Sequence, residues 1–412
     1  MDTFETWESE VRGYCRTYPT IFKSASNARQ VDEDGKSYID FFGGAGVLNF
    51  GHNNPRMKEA MIAFLQEDGP VHSLDMATSA KRDFIESFVA TIMKPRGMDY
   101  KLQFTGPTGT NAVEAALKLA RKVTGRSNII AFTHGFHGMT LGSLAVTANA
   151  YFRHAAGVQL NDVLRLSYGH PIETMIDYYK DASSGLDMPA AILVEVVQCE
   201  GGVYVGDPEW LRGLQRLARE TGALLIVDEI QAGCGRTGSY FSFDGMGLDP
   251  DIICLAKGIG GYGTPMALNL VKREHDAHWK PGQHTGTFRG PGLSFIAGRV
   301  AMEYFQDDAF CADVRRKGAY MEERLNAMAA REPASAPVEV RGKGMIWGYD
   351  TGNGARTKEI VAHAFKAGLL IGGCGTDGRV LKFIPPLTIP DSDLEQGLNL
   401  VEAAATQVRE AA

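Results

Sequence analysis

The sequence predicts an α/β fold: a large, mostly parallel sheet covered by helices on both faces, joined to a smaller C-terminal α+β domain. Three observations lead there. Short apolar runs rich in Val, Ile and Leu alternate with amphipathic stretches over the first two thirds of the chain, which is how parallel strands buried on both faces read. The 412 residues include 48 glycines, enough for the tight turns that such a fold needs between strands and helices. Beyond about residue 290 the alternation stops, and long helical patterns, a Pro/Ala-rich break (332–337) and strand-like segments follow.

Taken in order, Asp32-Glu33-Asp34-Gly35-Lys36 reads as a turn and Ser37–Phe41 as a strand. Met57–Glu67 and Ser79–Met93 carry helical periodicity. Asn128–Phe132, Ala190–Val197, Ala223–Val227, Ile252–Leu255 and Ala267–Val271 are the expected buried strands, with an amphipathic helix at Trp210–Glu220. Ala297–Phe305 and Ala309–Ala330 complete the helices. The expected division is a large domain over 51–290 and a small domain over 291–412. Residues 1–50 lack the alternating pattern and are expected to pack with the small domain.

Composition narrows the function. A net charge of −7 and an isoelectric point near 5.8 argue against nucleic acid or an anionic membrane as partner. No apolar run approaches the roughly 20 residues that span a bilayer. The opening Met1-Asp2-Thr3-Phe4-Glu5 lacks the form of a signal peptide. Six scattered cysteines without a CxxC pair read as reduced thiols, so a cytoplasmic protein is expected.

The chemistry centres on Lys257. It follows the run Ile252–Ala256 and opens the glycine-rich stretch Gly258-Ile259-Gly260-Gly261-Tyr262-Gly263, where a flat ligand can approach the backbone. Another apolar run ends in Asp228-Glu229. In a parallel sheet both residues fall at carboxyl ends of strands, where ligands gather. A lysine and an acid so placed suit pyridoxal 5'-phosphate: an amine for its aldehyde and a carboxylate for its ring nitrogen. Thr108-Gly109-Thr110, ahead of a helix with Ala112, Ala116, Leu119 and Val123 on one face, offers hydroxyls and free backbone N–H groups to an anion. Taken alone, it is equally an ordinary helix cap. Gly135-Phe136-His137-Gly138 presents an aromatic at a strand end that could stack on a ring, although alone a core phenylalanine reads better.

Other patterns lead nowhere. His134/His137 and His275/His278 have ligand-like spacing without companions for a metal shell, so no metal is expected. Gly35-Lys36-Ser37 lacks the first glycine of a phosphate loop, since Gln30 stands there. Gly258-x-Gly260-x-x-Gly263 matches a dinucleotide fingerprint, but Thr264-Pro265 turns the chain into a strand where a helix would be required.

Together these motifs resemble the class III (ω-amino acid) aminotransferases, pyridoxal-phosphate enzymes of fold type I. Gly51-His52-x-x-Pro55, Thr108-Gly109-Thr110, Gly135–Gly138, Glu200-Gly201-Gly202, Asp228–Gly238, Lys257-Gly258 and His284-x-x-Thr287-Phe288 occur in that family's order. The resemblance implies a Schiff-base and proton-shuttling role for Lys257 and a pyridine-nitrogen partner in Asp228. It also implies Ile230 behind the ring, Phe136 in front with His137 beside it, and Gln231 at the phenolic oxygen. Thr108, Gly109 and Thr110 would hold the phosphate, joined by Thr287 from a second subunit, which makes a homodimer the expected functional unit.

Segments 104–111, 41–49 and 282–290 look most like the branch that moves glutamate's amino group onto aspartate β-semialdehyde in ectoine biosynthesis. Its relatives supply diaminobutyrate to siderophores and peptide antibiotics. Many members carry an arginine before the x-Pro-Pro-Leu segment, whereas here Lys382 stands there, and Glu200 is expected to pair with it over the substrate carboxylate. Gly290-Pro291-Gly292 also departs from the usual Gly-Asn pattern. The alternatives are a class III transaminase for another ω-amino acid or diamine, an aminomutase or racemase on the same fold, a nicotinamide enzyme, and a non-catalytic scaffold.

Overall fold

The computed structural model describes residues 2–411, so Met1 and Ala412, the outermost positions of the expected terminal segments, lie outside the described residues. Its centre is a seven-stranded sheet. The strands are β1 (Tyr100–Gly106), β2 (Ile129–Phe132), β3 (Val163–Leu166), β4 (Ala191–Val194), β5 (Leu224–Asp228), β6 (Ile252–Leu255) and β7 (Ala267–Lys272). Their spatial order is β1-β7-β6-β5-β4-β2-β3. β7 runs antiparallel to both neighbours, β6 and β1, while β6, β5, β4, β2 and β3 are mutually parallel.

The central strands read as unbroken apolar runs because both faces are covered. Ile129, Ala131, Leu193, Ile226 and Cys254 face helix Gly109–Thr124, which buries Ala112, Val113, Ala116 and Leu119 against them. The alternate residues Ile130, Phe132, Ile192, Val194, Leu225, Val227, Ile253 and Leu255 join a second core. That core also holds Phe84 and Phe88 of helix Ser79–Phe88, Leu214 and Leu217 of helix Pro208–Thr221, and Phe295 of helix Gly292–Met302. Each large apolar side chain buried there contributes roughly 1.5–3 kcal/mol. Helix starts follow local chemistry: Asp207 accepts the Trp210 N–H at 2.9 Å with Pro208 in the first turn. The same helix stops at left-handed Gly222.

Differences from the sequence expectation are confined to a few elements. The run Ala190–Val197 is not one strand: β4 stops at Val194, and Val197–Gln198 pairs instead with Tyr204–Val205. The buried Glu195 sits at that break. β1 and β3, the two edges of the sheet, were not expected. In the C-terminal part, Glu339–Lys343, Ile346–Asp350, Val380–Phe383 and Gly372–Cys374 form an antiparallel sheet. Its core is shared with helices Ala309–Ala329, Gly354–Lys366 and Asp391–Ala411. The N-terminal strands Phe22–Ser26, Arg29–Asp32 and Ser37–Asp40 continue into Leu369–Leu370, which lies parallel to Ser37–Asp40. Among the described residues no helix is long and apolar enough to cross a membrane.

Candidate active site

The carboxyl ends of the parallel strands open on one side of the sheet, and a cavity of about 350 Å³ lies there. Asp228 ends β5 and pairs in register with Cys254 of β6. Lys257 stands two residues beyond the end of β6, and the segment Gly135–Gly138 leaves β2. Asp228, Lys257, Phe136, His137, Ile230, Gln231, Glu200 and the whole Thr108-Gly109-Thr110 turn line this one space. Eleven of the twelve site residues expected from sequence are thereby accounted for once Lys382 is added through its contact with Glu200. Thr287 is the exception: it is exposed outside this cavity, its carbonyl accepting from His72 Nε2 at 2.8 Å.

Asp228 is 4% exposed. Its Oδ2 lies 2.8 Å from His137 Nδ1 and its Oδ1 accepts the Ile230 N–H at 3.0 Å. Each carboxylate oxygen thus has a hydrogen-bond partner, as a buried acid requires. Lys257 is held at φ 51°, in the left-handed region. For a residue with a side chain this conformation costs on the order of 1–3 kcal/mol and is retained where the surroundings impose it, as at functional sites. Burial lowers the Lys257 amine below its ordinary 10.5, with Lys382 pushing the same way and Glu200 opposing. A larger share of neutral amine results, and a neutral amine is what nucleophilic or base chemistry needs.

At one end of the cavity, Thr108, Gly109 and Thr110 begin helix Gly109–Thr124. This sixteen-residue helix aims the positive end of its dipole at the cavity. Thr110 Oγ1 meets Thr140 Oγ1 at 2.5 Å, and Thr140 donates to Glu114 at 2.6 Å. Gly138 runs so close that a Cβ there would stand 2.6 Å from Thr110 Oγ1, at φ 129°, so only glycine fits.

At the other end Glu200 meets the Lys382 ammonium. Gln231 Nε2 donates to Glu200 Oε1 at 3.0 Å and to the Ala45 carbonyl at 2.6 Å. Burial alone would raise the Glu200 carboxyl, but Lys382 and Lys257 outweigh it and draw it down to about 2. Burial works against the Lys382 charge, and Glu200 overrides it, so its pKa is raised. The pair is therefore charged at neutral pH.

The residues fit a flat, anionic, aldehyde-bearing ring. An amine and an acid face one space, with Phe136 and Ile230 among the lining side chains and an anion cradle at one end. Gln231 Oε1 is buried with no partner among the described residues, which leaves an acceptor for a ligand hydroxyl. Sequence reasoning missed Glu195, whose Oε2 accepts the Phe136 N–H at 3.0 Å. A lone carboxylate inside the apolar run Ala190–Val197 was the available signal.

The comparisons agree with this architecture. The family model for aminotransferase class-III matches residues 13–405. A diaminobutyrate--2-oxoglutarate transaminase from Bordetella parapertussis is 52% identical, over 98% of this chain and 94% of that protein. The protein of the same name from Wolinella succinogenes is 49% identical, over 99% of this chain and 96% of its own length. Among solved structures, the ornithine aminotransferase of Toxoplasma gondii superposes with a TM-score of 0.88 at 25% identity, over 100% of this chain and 95% of that one. The chain belongs to the class-III aminotransferases.

Proposed function

We propose that this enzyme exchanges an amino group between L-glutamate/2-oxoglutarate and L-aspartate 4-semialdehyde/L-2,4-diaminobutyrate. The observation that carries the proposal is the single cavity lined by Lys257, Asp228 and the Thr108–Thr110 turn, with Glu200 at its far end. The relatives' shared name supports the substrate pair.

When bound, pyridoxal phosphate supplies an aldehyde that takes up the amino group and a ring that withdraws electrons from the neighbouring carbon. Lys257 Nζ would hold that aldehyde and would move the proton of the carbon bearing the substrate nitrogen. Asp228 would pair with the ring nitrogen, since a carboxylate beside it favours the nitrogen's protonated form. Phe136 and Ile230 would pack against the ring, and Thr108, Gly109 and Thr110 would hold the phosphate. Gln231 meets the ring's oxygen. Lys382 would receive the carboxylate on glutamate's reacting carbon, and Glu200 would pair with it when the other substrate, whose reacting carbon bears no carboxylate, is bound. Thr287 completes the phosphate site from a second subunit, which makes the working unit a homodimer. Its exposure in the single chain supports that assignment. The composition supports a cytoplasmic enzyme, and supply of diaminobutyrate to ectoine synthesis is the proposed pathway.

The test is glutamate formation from L-2,4-diaminobutyrate and 2-oxoglutarate by the purified holoenzyme. Glutamate release dependent on both substrates supports the assignment. Turnover of other diamines with none of diaminobutyrate would overturn the substrate pair and leave the transaminase chemistry intact.

A further inference from the structure

A second buried carboxylate stands opposite Asp228 across an imidazole. His137 is 3% exposed; its Nδ1 lies 2.8 Å from Asp228 Oδ2 and its Nε2 4.0 Å from Glu195 Oε2. The same Glu195 oxygen accepts the Phe136 N–H at 3.0 Å, and the side chain lines the cavity beside Lys257. One carboxylate therefore touches both the backbone of the aromatic residue at the ring site and the far edge of the imidazole bound to Asp228.

We propose that Glu195 is a positioning residue of the active site: it anchors the Phe136 backbone at the cofactor-ring site and stands as a second acid behind the imidazole that contacts Asp228. The inference rests on the pyridoxal-phosphate reading above. Anchoring follows from the hydrogen bond, since a buried N–H that loses its acceptor is costly. The coupling follows from the order of groups. The imidazole has Asp228 2.8 Å from Nδ1 and Glu195 4.0 Å from Nε2, so an ionisable group at position 195 is felt at Asp228 through one ring. Burial and Asp228 push the Glu195 carboxyl up, while the Phe136 N–H and Lys257 pull it down. The ionisable groups surrounding it are Asp228, Lys257, Glu200, Cys199, Tyr168 and His137.

Two variants separate the roles. Glu195→Gln keeps an acceptor for Phe136 but removes the ionisable group, and Glu195→Ala removes both. The readouts are pyridoxal-phosphate affinity of the apoprotein by fluorescence titration, the pH at which the bound cofactor's visible band interconverts, and the melting temperature. Glu195→Gln is expected to bind the cofactor within about threefold of wild type, with the band's transition displaced by about one pH unit, because the acid that titrates beside Asp228 is gone. Glu195→Ala is expected to lose about tenfold or more in affinity. Wild-type affinity and an unmoved transition in both variants would overturn the proposal. So would equal loss of affinity and melting temperature in both with no spectral shift, which marks a structural role only. Wild-type protein that binds no pyridoxal phosphate would instead overturn the cofactor reading beneath it.

Discussion

Glu200 and Lys382 meet across the seam between the large sheet and the C-terminal sheet, the lysine only 3% exposed within Val380–Phe383. The pair is a gate in chemical terms. Closed, it neutralises both charges; opened by a substrate carboxylate, it exposes one cation. Lysine offers a point charge where an arginine would offer a planar fork.

Lys382→Met is expected to raise KM for 2-oxoglutarate by about tenfold to a hundredfold, the worth of a hydrogen bond to a charged group. The half-reaction with diaminobutyrate is expected to change far less. Stopped-flow absorbance with each substrate separately checks this, and equal losses for both would remove Lys382 from carboxylate recognition.

Asp228→Asn leaves a side chain of the same shape beside His137 without the charge. We expect kcat to fall on the order of a hundredfold or more, the scale of losing a preorganised electrostatic contact. The purified variant should still take up cofactor through Lys257. Undiminished turnover would assign the ring nitrogen another partner.

The shared-site arrangement predicts complementation. Lys257→Ala and Thr287→Ala subunits, each impaired alone, should regain activity when mixed and reassembled, because the mixed dimer holds one site with both native residues. If no mixture exceeds the Thr287→Ala enzyme in activity at limiting cofactor, Thr287 does not act across the interface.

Glu229 gives a pH signature in stability. It is fully buried beside Ser242, whose N–H it accepts at 2.8 Å. Burial raises its carboxyl from an ordinary 4.5 to about 8, the Ser242 donors opposing. A folded-state pKa above the unfolded value means that the stabilising contribution is complete below about 4.5 and is lost as pH rises through about 8. Glu229→Gln should therefore melt at a temperature less sensitive to pH over this window and gain relative to wild type on the alkaline side. Parallel melting curves from pH 5 to about 9 for both proteins would refute a neutral Glu229.

Much of the fold could be read from the chain, and the failures share a cause. Strands β4, β5 and β6 announce themselves because burial on both faces forces continuous apolar runs. The two unforeseen strands are the sheet's edges. β1 carries Lys101 and Gln103, and β3 carries Arg165, whose guanidinium caps the Phe132 and Val146 carbonyls. Polar side chains are tolerated at an edge, so the apolar signal is diluted. The reversed direction of β7 leaves no trace in its composition.

In the site, residues with distinctive chemistry at strand ends, Lys257 and Asp228, were legible. Glu195 was not, because it lies inside the apolar run Ala190–Val197, which reads as one strand. Its meaning appears only once β2 and β4 are seen side by side. The left-handed backbone at Lys257 was likewise invisible, since the residue type argues against it.

The central claim is that Lys257 carries the cofactor. Borohydride reduction of the holoprotein, followed by proteolysis and mass spectrometry, tests it directly. The expected result is the mass of reduced pyridoxal phosphate on the peptide containing Lys257 and its absence in Lys257→Ala. An adduct on another lysine, or none on protein that is yellow and active, would contradict the account.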